Sequence, residues 1–264
     1  MSTALNGKIQ PLRVTQARVI HSEWIKFWSL RSTVLSLAAG VALLVGVGLI
    51  TASVSASGGS IGDDRLGAAD ASLGGVMFAQ LAFGTLGVLF MAGEYGTGMI
   101  RSTLSAVPRR LPMLWAKIAV FSAVTFVTGL VATAIAFTGG QALIGDGAAS
   151  WSDAGVARAV VNTAVLLTGS GLLGIAFGAL LRSTAGAVTT VFGGLFLFDN
   201  IVGLMLPDSW QGALRYFPGS SGNAAAAVTQ APDTLAPYAG LAVFAGYVVL
   251  AAIAAAWRLS RSDA

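Results

Sequence analysis

Ionisable side chains are scarce in the apolar parts of this 264-residue chain, so the few that occur there pose the functional question. Asp199, followed by Asn200, lies inside a long apolar stretch. At about 1.5 Å per helical residue it sits roughly 10 Å from the nearer end. A carboxylate at that depth is costly and marks a substrate or ion path by default. Gln80 poses a milder version of the same question. Two other readings of Asp199 stand beside that one. The carboxylate hydrogen-bonds a neighbour structurally, or its segment is broken or re-entrant and open to water. Gln80, Asp199 and Asn200 are the candidate path residues.

A second constellation is the polar stretch from Glu94 to Pro112, which separates two apolar runs. Met99, Ile100, Thr103, Leu104 and Val107 share one helical face, and Pro108 ends that helix. Gly96 and Gly98 are flexible points leading into it. Glu94 falls at a helix carboxyl terminus, where negative charge is disfavoured, so it should seek a cation. Arg101, Arg109 and Arg110 are in reach. A short amphipathic helix there is a lever on both flanking spans, or it simply lies on lipid headgroups.

Other chemistry is excluded by what the chain lacks. No Gly-x-x-x-x-Gly-Lys-Ser/Thr run occurs, so ATP is not held by a phosphate loop of that kind. Cysteine is absent, and the single histidine, His21, has no second histidine for a metal site or triad. We therefore expect no metal, no cofactor and no catalytic residue. The net charge of +4 does not mark a nucleic-acid partner, because the basic residues cluster at the ends of apolar runs.

Six apolar stretches must position these groups: Thr33–Val54, Ser72–Ala92, Ile118–Thr138, Val160–Leu181, Ala185–Leu206 and Pro237–Trp257. Each has about 20 residues, enough to cross a hydrocarbon core about 30 Å thick. In lipid the backbone must satisfy its own amides, so the spans are helices. The chain is 55% hydrophobic and 10% charged, far from the roughly 25% charged residues of a soluble domain. The expected fold is all-α and polytopic. Residues 1–32 form a polar tail with an interfacial helix, and residues 33–264 form one six-span domain. The tail is too long and polar for an ordinary signal peptide, so the first span reads as a retained helix.

Lys8, Arg13, Arg18, Lys26, Arg31, Arg101, Arg109, Arg110, Lys117, Arg182, Arg258 and Arg261 fall on one side of this threading. Only Arg65, Arg158 and Arg215 fall on the other. That bias places both termini in the cytoplasm. Within Leu12–Leu30, Ala17, Ile20, Trp24, Phe27 and Trp28 recur at helical spacing, with Arg18, Ser22 and Lys26 on another face. This fits a helix lying in the inner interface, apolar side against membrane lipid. Arg-Ser-Thr occurs at Arg31, Arg101 and Arg182; the first and third open spans, where Ser or Thr can cap free amides. Gly171, Gly174 and Gly178 suggest a close-packing face. Pro207–Ala236, the longest outer connection, carries Trp210, Tyr216 and Phe217 and suggests short helices dipping into the interface.

The stretch Glu94, Gly96, Thr97, Leu104, Ala106, Pro108, Arg109, Arg110, Ala116 and Lys117 resembles the Glu-x-Gly-Thr…Leu…Ala-x-Pro-Arg-Arg…Ala-Lys pattern of type-2 ABC export permeases. Ser22–Lys26 with Leu30–Thr33 resembles the first helix of such permeases in high-GC Gram-positive bacteria. Gly178–Thr184 is similar to their connection between spans four and five. The resemblance implies a subunit in the bacterial plasma membrane that pairs with a second permease copy or a homologue and with two separate ATP-binding ABC subunits. It implies that the helix after Glu94 docks on the ATPase, and that the last outer loop forms re-entrant helices. Asp199 belongs to no motif of that family. An ion-coupled secondary transporter is the runner-up and a membrane-embedded enzyme the third reading. The first would place more charges near mid-membrane, and the second lacks a nucleophile–base set.

Overall fold

A computed structural model describes residues 15–58, 65–96, 98–99 and 110–261. It is 85% helical, with no strand among the described residues. The elements are α1 (Gln16–Ser29), α2 (Arg31–Ala56), α3 (Arg65–Ser72), α4 (Val76–Gly96), α5 (Arg110–Ile144), α6 (Val156–Leu181) and α7 (Thr184–Phe192). A π-helical turn, Gly193–Leu197, joins α7 to α8 (Phe198–Met205). A 3₁₀ segment, Asp208–Tyr216, leads to α9 (Pro218–Ala226), and α10 (Pro237–Arg261) is the last described element. Among the described residues six helical stretches are long and apolar enough to cross a membrane. The protein is an all-α, multi-pass membrane protein.

The spans follow the sequence reading, with three corrections. Span two is α3 and α4 joined by a turn at Leu73–Gly75, and not one helix from Ser72. A Cβ on Gly75 would stand 2.3 Å from the Leu44 carbonyl oxygen, so the chain bends there against the α2 backbone. Span three begins at Arg110, eight residues before Ile118, and runs on to Ile144. Pro112 falls in its first turn, where a missing N–H breaks no helical bond. At the Arg31 boundary the cap residue is Leu30, without a side-chain cap. At the Arg182 boundary Ser183 does cap, its hydroxyl accepting the Gly186 N–H at 3.3 Å.

Helices α4 and α6 form the centre. Their spans are 67% and 72% buried, against 17% for the α7–α8 span and 17% for α10. Glycine sets the distance between them. A Cβ on Gly87 would lie 1.9 Å from the Gly171 oxygen, and one on Gly174 would lie 2.2 Å from the Gly84 oxygen. The glycine face of α6 is thus spent inside the chain, backbone against backbone.

Span five is interrupted where the chain carries Gly193-Gly194, and the π turn sits there. The following connection folds back into the protein. Gly203 faces Leu214, and a Cβ on Gly219 would lie 2.2 Å from the Leu195 oxygen. Leu195 is eleven residues into its span, about 16 Å from its start at helical rise. The tip at Pro218–Ser220 therefore reaches mid-span depth, and α9 climbs back from it. Its far end is held by Arg158, which donates to the Ala225 and Ala227 oxygens at 3.2 and 3.0 Å. Asn162 donates to the Ala225 oxygen at 2.8 Å, and Asp70 accepts from Val228 and Thr229. The short outer helices expected in Pro207–Ala236 are this re-entrant pair.

The six tryptophans mark two belts. Trp24, Trp28, Trp115 and Trp257 lie on the α1 side and Trp151 and Trp210 on the opposite side, each between 44% and 65% exposed. Aromatic rings prefer the headgroup level, so the belts bracket the spans.

The seam yields a measurable expectation. Gly174→Val should lower thermal stability in detergent by about 1–3 kcal/mol through overpacking. Gly46→Val, at a position where a Cβ meets nothing within 4 Å, should leave it nearly unchanged. Equal melting temperatures for the two variants would remove the seam as the organising contact.

Candidate functional site

The described residues bring four charges together where α1, α4 and α5 meet. Helix α1 lays Val19, Glu23 and Phe27, one turn apart, against the bundle. Phe27 is 0% exposed and meets Phe90 edge-on at 5.3 Å between centroids. This docking carries Glu23 inward, although a glutamate between exposed Ser22 and Trp24 looks like a surface residue in the sequence.

Lys117 is the centre of the cluster and is 0% exposed. Its ammonium donates to Glu23 Oε2 at 2.7 Å, to Glu94 Oε1 at 2.7 Å and to the Phe90 carbonyl at 3.1 Å. An ammonium has three donors, and all three are used. The Phe90 ring adds its face, 4.1 Å from Nζ to the centroid. Lys26 closes the ring of charges by donating to Glu23 Oε1 at 2.7 Å and to Glu94 Oε1 at 3.2 Å. Two carboxylates and two ammonium groups alternate, so the cluster is neutral as a whole.

Electrostatics explains its integrity. Removing one partner from a buried pair leaves an uncompensated charge, which costs about 3–5 kcal/mol. Burial opposes the charge of Lys26, but the hydrogen bond and charge of Glu23, followed by those of Glu94, outweigh it. Its pKa therefore stands above the ordinary lysine value. A raised lysine pKa stabilises fully below the ordinary value of about 10.4 and fades as pH climbs through the folded value. Glu94 Oε2 is buried and has no hydrogen-bond partner among the described residues.

The sequence-derived residues distribute as follows. Glu94 belongs to the cluster, and among the described residues the cations on it are Lys117 and Lys26. Gly96 ends α4, and Gly98 has φ +72°, a left-handed conformation suited to glycine. Thr97, Arg101, Leu104, Pro108 and Arg109 lie outside the described residues, as does most of the helix expected over Met99–Val107. Arg110 opens α5. Gln80 is buried between α4 and α6, with Nε2 3.4 Å from Ser170 Oγ and Oε1 unpartnered. Asn200 donates to the Phe196 carbonyl at 2.7 Å, within its own helical segment. Asp199 Oδ2 accepts the Ser220 N–H and hydroxyl, both at 2.6 Å. It thereby caps the amino-terminal turn of α9, where the helix dipole favours an anion. These three residues do not converge on one site.

Glu23, Lys26 and Lys117 were absent from the sequence-derived site. The signal was present: Glu23 falls in the Val19–Phe27 register, and Lys117 interrupts the start of an apolar run at the same boundary as Glu94. Side-chain register alone did not say which face of α1 met protein. Phe27 proved to be on that face, while Ile20, Trp24 and Trp28 remain exposed as expected.

Lys117→Met is expected to lower stability by about 3–5 kcal/mol, read by thermal unfolding in detergent. Adding Glu23→Gln and Glu94→Gln should recover part of that loss, because the stranded carboxylates are then neutral. Strictly additive losses would show that the charges do not act as one unit.

No protein-family model and no curated protein matches the chain.

Proposed function

We propose that this chain is the membrane-spanning permease subunit of an ATP-driven ABC export system. The supporting observation is the buried ion cluster, which ties α1 to the ends of spans two and three at the point where residues 97–109 connect them. A force on that connection reaches Glu94 from one side and the start of α5 from the other. Because Lys117 is held from both α1 and α4, the three helices respond together. Packing of this kind is bistable more than it is continuously deformable, which suits a two-state transport cycle.

The chain carries no phosphate-loop sequence, so in this reading the nucleotide is hydrolysed by separate ATP-binding subunits. A second permease copy or a homologue completes the pathway. The excess of Lys and Arg on the α1 side orients both termini to the cytoplasm of a bacterial plasma membrane. Glu94, Gly96, Thr97, Gly98, Arg101, Leu104, Pro108, Arg109 and Arg110 form the coupling segment. The resemblance of that segment to type-2 ABC permeases supports the same assignment.

Mild-detergent purification should bring an ATP-binding protein along. With that complex in liposomes, Glu94→Ala and paired Arg109→Ala/Arg110→Ala should each lower transport-coupled ATPase activity while the protein stays in the membrane. Wild-type coupling in both variants would contradict the assignment. Transport driven by an ion gradient without any ATPase would favour a secondary transporter.

A further inference from the structure

Beneath the re-entrant tip, a cavity of about 320 Å³ opens between the α7–π segment and α10. Leu173 and Phe177 of α6 form its floor, Gly194 lies in one wall, and Tyr247 and Ala254 lie in the other. Pro218, the first residue of α9, closes the mid-span end. The lining is almost wholly apolar, and the cavity lies within the band of the six spans. One turn of a helix, about 10–12 Å across and 5.4 Å long, fills roughly 420–610 Å³. A whole helical turn therefore cannot enter the slot, whereas an unbranched hydrocarbon chain can.

The open end carries a charge of defined sign. Tyr247, Ala251 and Ala254 recur along one stripe of α10, and Arg258 is the next residue on it. Arg258 is exposed and stands one turn beyond the cavity, toward the α1 side. Apolar walls ending in a guanidinium match an acyl chain ending in a phosphate.

We propose that this slot is a phospholipid site. One acyl chain enters between spans five and six from the leaflet on the α1 side and ends at Pro218, with the lipid phosphate at Arg258. The site does not depend on the permease reading. Occupancy would wedge the two least buried spans apart directly below the π turn and the tip of α9.

The full chain in nanodiscs of phosphatidylcholine, doped with phosphatidylglycerol bearing a diazirine at its chain end, tests this. Photocross-links should concentrate at the mid-span end of the slot, on Leu173, Leu195, Pro218 and Tyr247. Ala254→Trp should reduce them about tenfold, the equivalent of ~1.4 kcal/mol of binding. Gly194→Leu, filling the slot from the opposite wall, should do the same. Arg258→Glu should weaken labelling by the anionic probe. Cross-links to the exposed Leu204 and Met205 should stay constant in all three variants. The proposal is overturned if the slot labels no more than Leu204 and Met205, if the filling variants reduce both regions alike, or if the slot cross-links to a second copy of the chain.

Discussion

A lysine with no solvent exposure holds the α1 side of this protein together. The ammonium of Lys117 has left water, and only the two carboxylates and one carbonyl around it make that position tolerable. The acceptors come from two separate parts of the chain: Glu23 precedes the first span, and Phe90 and Glu94, one turn apart, end the second. Helix α1 is therefore bound to protein on one face while Ile20, Trp24, Ile25 and Trp28 remain exposed on the other. The same helix answers to the lipid and to the bundle. The Phe27, Phe90 and Phe121 rings beneath the cluster keep its surroundings apolar, which strengthens every charge contact above them.

On the opposite side a second set of polar contacts serves a different end. There α9 has Asp199 at its positive terminus and Arg158 near its negative one. Both signs complement the helix dipole. An inward-turned segment must satisfy its backbone without lipid-exposed gaps, and these side chains supply the partners. Asp199 thus has a structural reason to sit inside a span, namely the free amide of Ser220. Its position beside the π turn links the outer half of span five to the re-entrant tip.

Much of this architecture was legible from residue patterns. Spans of about 20 apolar residues are fixed by bilayer thickness, so their number and approximate limits follow from hydropathy. Glu94 was legible as a carboxylate in need of a cation, because its place at a helix end is unfavourable. Its partner was not, since Lys117 is 23 residues away and only the crossing of α4 and α5 joins them. Glu23 was hidden for a related reason: the apolar stripe of α1 has two halves, and sequence cannot say which one meets protein. Asp199 was legible as an anomaly but not as a cap, because Ser220 reaches it only when the loop turns inward. The glycines of α6 announced close approach, and tertiary packing alone revealed α4 as the neighbour.

The order of residues in the cluster also constrains biogenesis. Glu23, Lys26 and Glu94 are synthesised before Lys117, so two carboxylates and one ammonium reach the membrane edge ahead of the second lysine that completes the neutral set. The wall made by the first three spans is thus completed in chain order by a single residue, ahead of spans four to six. Helix α6, whose glycine face has to meet the α4 backbone without a gap, enters only after that wall exists.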